Sequence, residues 1–195
     1  MILSAPFFMA WASLATARDV PSNVKALYDQ IRSQGQCQNV LAGGFHSQQN
    51  DRGNFDYCAD HLRDDEVIYI QGRRGALANM DVDCDGIQHA LPTTAAAALP
   101  PTPIWGDENG DDGPQAMVGE ASIALATACF GHGVNGNAGH DKNDVLYLAF
   151  PGKDAVPGAK GAKWNAQKFD AFEASIASLG DKLIKRIGKR TGAGS

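Results

Sequence analysis

The chain has 195 residues, 44% hydrophobic and 20% charged, which suits one domain with a proper core and excludes a disordered or fibrous chain. Its net charge of −5 hides an asymmetry: residues 18–150 hold 18 acidic and 8 basic side chains, residues 151–195 hold 4 and 9. An acidic body repels nucleic acid and draws cationic partners.

The opening "MILSAPFFMAWASLATA" is uncharged, apolar and ends in Ala15-Thr16-Ala17. It reads as a signal peptide over 1–17, cut before Arg18, although the usual basic start is missing. No later apolar run reaches a membrane span, so the mature protein over 18–195 is expected to be soluble, secreted and extracellular. Export makes disulfides the natural use of Cys37, Cys58, Cys84 and Cys129. Two bridges are expected, in any of three pairings. Without a C-x-x-C pair, zinc is not expected.

Val24, Leu27, Tyr28 and Ile31 recur at helical spacing, with Ser22 or Asn23 as cap. Residues 35–65 read as turns, "EVIYIQG" (66–72) as a buried strand, and "ALANMDVDCDG" as a strand entering an acidic turn. "LPTTAAAALPPTP" (91–103) is low-complexity linker. "EASIALATACF" reads as a short buried helix, "GHGVNGNAGHDKND" as loop with an Asn-Gly turn, and "VLYLAF" as a strand ending at Pro151. In the tail, Phe169, Phe172, Ile176, Leu179, Leu183 and Ile187 share one helical face, with Asn165 as cap and Gly188 as stop. The fold expected is α+β: a compact β-rich core, open to closure as a barrel, with a few short helices and a C-terminal amphipathic helix.

Asp81, Asp83, Asp85 and Gly86 begin like a calcium loop, but Pro92 occupies the position that needs an acidic ligand. On an extended backbone the three carboxylates make a negative strip; a solvated or hydrogen-bonded turn fits the same residues equally well. His132, His140 and Asp141 lie in a glycine-asparagine loop with no nucleophile elbow nearby, which favours a structural or surface role. The segment "IWGDENGDDGPQAMVGEAS" holds Asp107 and Glu120 thirteen apart, joined by a loop that can fold back. Two carboxylates across a groove suit glycoside hydrolysis, and Trp105 suits stacking on a sugar face.

These segments carry a resemblance. "IWGDENG", "GEASIALATACF" and "GNAGHDKNDVLYLAF" look like the C-terminal half of the fungal chitosanases of glycoside hydrolase family 75. "NMDVDCDG", "DYCAD" and the tail "WNAQKFDAFEASIASLGDKL" are similar to further parts of it, so the likeness spans nearly all of the mature chain. The resemblance implies an endo-acting, inverting cleavage of the β-1,4 bonds of chitosan, with Asp107 and Glu120 as the catalytic pair and no metal or organic cofactor. Glu120 is assigned as acid and Asp107 as base. Against this stands the N-terminus of the helix expected at 121–129, whose dipole would favour the Glu120 anion. Trp105, Asp81, Asp83 and Asp85 would bind substrate, and chitosan would be the partner, taken by a monomer with neither nucleic acid nor membrane. Family members carry several dozen more residues, including two cysteines, where "QHALPTTAAAALPPTP" stands here. The alternative is therefore a catalytically impaired remnant that binds polycationic polysaccharide.

Overall fold

The computed structural model describes residues 20–48, 51–83 and 116–189. The expected signal, the 91–103 tract, Cys84, Asp85, Trp105 and Asp107 lie outside the described residues. Helix α1 (Ser22–Gln34) buries Leu27 and Ile31. Neither Ser22 nor Asn23 caps it; Pro21 holds the cap position. The Asn23 amide instead donates to the carbonyls of Ile184, at 2.7 Å, and Ile187, at 3.2 Å. It thus ties α1 to the end of the last helix, where the Ile184 carbonyl also accepts from the Ile187 amide at 3.2 Å.

Four strands form one antiparallel sheet in the order β1 (Val40–Phe45), β2 (Phe55–Cys58), β3 (Ile68–Gly72), β7 (Leu148–Ala149). The first two fall where turns were expected. β1 is an edge strand exposed along all but Phe45, so it carries no burial pattern to read. Its Gly43 leaves room for the Asp56 carboxylate: a Cβ there would sit 2.2 Å from Asp56 Oδ1, so that side chain would have to move.

The second sheet runs β5 (Glu120–Ser122), β4 (Ala78–Asp83), β6 (His140–Val145). β4 pairs parallel with β5 and antiparallel with β6. β6 is a strand despite its polar sequence, because its backbone pairs with β4 while residues 141–144 face outward. The strand read at 145–150 is split between the sheets, and Leu146-Tyr147 links them. Among the described residues the two sheets stay open, and no closed barrel forms. The polar 131–139 segment keeps its turn, where Asn135 and Ala138 exchange two 2.9 Å backbone hydrogen bonds.

Helix α2 (Ile123–Phe130) begins after Ser122, whose Oγ accepts from the Leu125 amide at 3.3 Å. Residues 120–122 are therefore strand, and Glu120 stands outside the helix. Helix α3 (Phe169–Ile184) follows Lys168, not Asn165, and Gly188 closes the segment at φ +77°. Ile176, Leu183 and Ile187 are buried. Ile187 joins Leu27, Ile31, Cys37, Cys58, Val67, Tyr69 and Leu77 in the largest core cluster. Arg186 bonds Glu66 at 2.9 Å and also Asp154, and the Gly188 amide donates to Asp65 at 2.6 Å.

Of the two expected disulfides, Cys37–Cys58 forms, with its Cα atoms 5.7 Å apart. Cys129 carries a free thiol, and Cys84 lies outside the described residues. Among the described residues no helix is long and apolar enough to cross a membrane.

Candidate active site

Glu120 opens β5, and the parallel ladder sets it opposite Asp81; the next pairs are Val82 with Ala121 and Asp83 with Ser122. Strand alternation then sorts the side chains. Ala121 and Val82 pack into the cluster built on Met80, Ala126 and Val134, so Asp81 and Glu120 occupy the opposite face. Both are partly buried. The Asp83 backbone pairs in register with Ser122, while Asp85 lies outside the described residues.

The peptide before Glu120 is held from both sides. The Gly119 carbonyl accepts from the Asp81 amide at 2.8 Å and from the Tyr147 hydroxyl at 2.7 Å. Gly119 has φ +99°, and a Cβ on it would stand 3.0 Å from the Asn79 carbonyl oxygen and 3.1 Å from Asn79 Oδ1. Only glycine suits that backbone and that gap. Asn79 is 1% exposed; its Nδ2 donates to Asp81 Oδ1 at 2.9 Å, and its Oδ1 has no hydrogen-bond partner among the described residues. Burial, then the nearby acids Asp81, Cys129 and Glu120, push the Tyr147 phenol well above its ordinary range.

Upstream, His46 and Met117 form a parallel bridge, with His46 donating to the Ala116 carbonyl at 2.9 Å and accepting from the Val118 amide at 2.8 Å. The segment 116–122 is therefore a ribbon fixed first to His46, then to β4. The His46 ring lies 2.7 Å from Asp51 through Nδ1. Asp51 also accepts from the amides of Ser47, Gln48 and Gly53. Burial acts to raise its pKa, yet these donors outweigh it and hold the carboxyl below its ordinary value.

The structure brings Glu120 and Asp81 together; Trp105, Asp107 and Asp85 lie outside the described residues. Sequence reasoning passed over Asn79, Gly119, Tyr147 and His46. A polar Asn inside the apolar "ALANM" run was the available signal for the first. His140 is stacked on Phe130, with ring centroids 3.9 Å apart, and lies 2.6 Å from Asp144. Among the described residues, the metal-sized group of ligand types is Cys37, Cys58 and Asp60, and both sulfurs are joined in the disulfide.

A family model described as "fungal chitosanase of glycosyl hydrolase group 75" matches residues 101–186, beginning at the end of the alanine-proline tract. An endo-chitosanase of Aspergillus fumigatus is 33% identical over 240 positions, covering 94% of this chain and 98% of that protein. Endo-chitosanase B of Aspergillus oryzae is 32% identical over 244 positions, with the same two coverages. Endo-chitosanase C of Aspergillus oryzae is 40% identical over 93 residues, 47% of this chain and 23% of its own length. An alignment of 240 positions is 45 longer than the chain, so the first relative carries residues opposite gaps here. No solved structure matches. With relatives this similar along nearly its whole length, the chain belongs to the fungal chitosanases of glycosyl hydrolase group 75.

Proposed function

We propose that this chain is a secreted endo-chitosanase that hydrolyses β-1,4 bonds between glucosamine residues with inversion. The observation that carries this reading is the likeness to endo-chitosanases across 94% of the chain. The Cys37–Cys58 bridge supports an oxidising, extracellular setting.

The chemistry is a single displacement. The Glu120 carboxyl gives its proton to the glycosidic oxygen as the C1–O bond breaks. Asp107 takes a proton from a water whose oxygen attacks C1 from the opposite face. Such a pair needs about 6.5–9.5 Å between carboxyls to admit that water. The ribbon 116–122 supports the role of Glu120, because β4, the His46 bridge and Tyr147 fix its backbone. Ser122 caps α2, so Glu120 precedes the cap by two residues and escapes most of the dipole that would favour its anion. Trp105 stacks on a sugar ring, and Asp81, Asp83 and Asp85 line aminosugar subsites, where protonated amines find carboxylates.

The test is reducing-sugar release from chitosan by wild type, Glu120→Gln and Asp107→Asn. Loss of either proton-transfer group should cost about 10²–10⁴-fold in turnover. Asparagine substitutions at Asp111 and Asp112 show which carboxylate of the loop acts. A larger loss at either than at Asp107 would move the base along the loop. If wild type and both variants release equally little yet the chain binds chitosan, the binding remnant is the correct reading instead. The gaps opposite the relatives' residues are what favour that second reading.

A further inference from the structure

We infer that the solvent side of α3 and the turns that follow it form a docking surface for a polyanionic polysaccharide, a polyuronate, held by Lys182, Lys185 and Lys189. This docking is independent of the reaction proposed above, since none of the three lysines belongs to the candidate active site.

α3 turns its apolar side inward, where Ile176, Leu183 and Ile187 are buried. Ser178, Lys182, Lys185 and Lys189 stay exposed, in steps of four, three and four residues. Such spacing lays side chains along one stripe of a helix. α3 ends at Ile184, yet the backbone winds onward: Arg186 donates to Leu183 at 2.9 Å, Ile187 to Ile184 at 3.2 Å and Lys189 to Arg186 at 3.1 Å. The stripe therefore continues past the helix. The same four residues line one shallow depression, together with Asp181 and Arg186.

The three lysines are available to a ligand. Among the described residues, none of them forms an ion pair with a carboxylate. Arg186 is engaged by Glu66 and Asp154, and the Asp65 carboxylate accepts from the Gly188 amide. Asp154, which Lys182 also faces, is thus already bonded elsewhere. One cation complements a helix C-terminus, and three in a row exceed that need.

Charge and repeat select the partner. Residues 151–195 hold 9 basic and 4 acidic side chains, the reverse of the body. At about 0.1 M salt exposed charges reach only about 10 Å, so the local sign decides what docks here. A protonated aminosugar is repelled from this stripe and a carboxylate is drawn. At about 1.5 Å per residue the lysines stand about 4.5–6 Å apart along the axis, comparable to one sugar ring, and a polyuronate offers one carboxylate per ring. A lipid surface fits less well, because the apolar side of α3 is buried and leaves nothing to insert. RNA fits less well too, because no aromatic side chain lines the depression for a base to stack on.

The experiment measures binding of the full chain to polygalacturonate, with neutral dextran, an RNA homopolymer and anionic phospholipid vesicles as parallel arms. Polygalacturonate should bind best, and raising salt from about 50 to about 200 mM should weaken it about tenfold, as release of counterions at about three contacts requires. Lys182→Glu/Lys185→Glu/Lys189→Glu should lose more than about tenfold in affinity, with its circular dichroism and its hydrolysis of short chitosan oligomers unchanged. Lys142→Glu/Lys160→Glu/Lys163→Glu, which carries the same net charge on other exposed lysines, should bind as wild type does. Equal loss in both triple variants overturns the inference, because net charge alone then governs. A preference for RNA or vesicles, or no binding to polygalacturonate at low salt, overturns it as well. Should the charge-reversed stripe fail to fold, Lys182→Gln/Lys185→Gln/Lys189→Gln takes its place, and wild-type affinity in that variant overturns the inference. Inactivity of the wild type on chitosan sinks the chitosanase reading and leaves this one standing.

Discussion

Tyr147 holds Gly119 by its carbonyl, donating across 2.7 Å to the residue that precedes Glu120. The same oxygen also accepts from the Asp81 amide, so removing the hydroxyl does not orphan it. Tyr147→Phe should therefore cost about 1 kcal/mol in urea unfolding. Its effect on kcat should exceed its effect on KM, because the lost bond holds the peptide before Glu120, the proposed acid, and Tyr147 is not among the proposed sugar contacts. Steady-state kinetics on chitosan oligomers checks the split.

Gly119→Ala should do more damage. The new Cβ would press on the Asn79 backbone oxygen at 3.0 Å from a residue already at φ +99°. Strain of this kind costs about 1–3 kcal/mol. Thermal unfolding should show a Tm lower by several degrees, with turnover reduced alongside.

Acid should loosen the ribbon through Asp51. Its carboxyl is held below its ordinary value in the fold, burial notwithstanding, by the Gly53, Ser47 and Gln48 amides. A carboxylate so depressed contributes stability above its unfolded pKa, about 3.9, and that contribution disappears as pH falls through the folded value. Wild type should lose stability steadily below about pH 4, and Asp51→Asn should show a shallower slope in the same window. Urea midpoints collected across pH provide the comparison.

Reduction should weaken the molecule substantially. Cys37 and Cys58 are 21 residues apart, and closing a loop of that size is worth about 3 kcal/mol. For a chain of this length the loss corresponds to a Tm decrease on the order of 10 °C. Scans with and without dithiothreitol test it, and a Cys37→Ser/Cys58→Ser double variant should behave like the reduced protein.

Salt should suppress action on the long polymer. Residues 18–150 carry an excess of ten acidic side chains, which draw in a polycation. At ~0.5 M salt the screening length falls to a few ångströms, so kcat/KM on long chitosan should fall severalfold from its low-salt value. Salt-independent turnover would count against electrostatic capture.

Much of the frame was legible from residue pattern. The runs around Val67–Gln71 and Ala78–Val82 announced β3 and β4, and the periodicity of Leu27 and Ile31 announced α1. β1 and β6 were not legible, because neither is defined by burial. "VLAGGF" lies exposed on an edge, and "HDKNDV" is a strand only because β4 offers it backbone partners. Glu120 stood out through its motif. Its pairing with Asp81 did not, since a parallel ladder between distant segments leaves no local trace in the chain. Asn79 and Tyr147 were hidden for a related reason: each acts through a contact made by sheet register, not by sequence neighbours.

That parallel ladder also bears on the residues this chain lacks. β4 ends at Asp83 and β5 begins at Glu120, leaving a 36-residue span between them, longer than the dozen or so a parallel connection demands. Closure entropy varies only with the logarithm of span length; halving such a span changes it by about 0.6 kcal/mol, in favour of the shorter chain. If the relatives' extra residues belong to this span, evolution can trim or expand it while the two carboxylates stay in register. The span would be an adjustable tether, whose length weighs little on whether the two strands can pair.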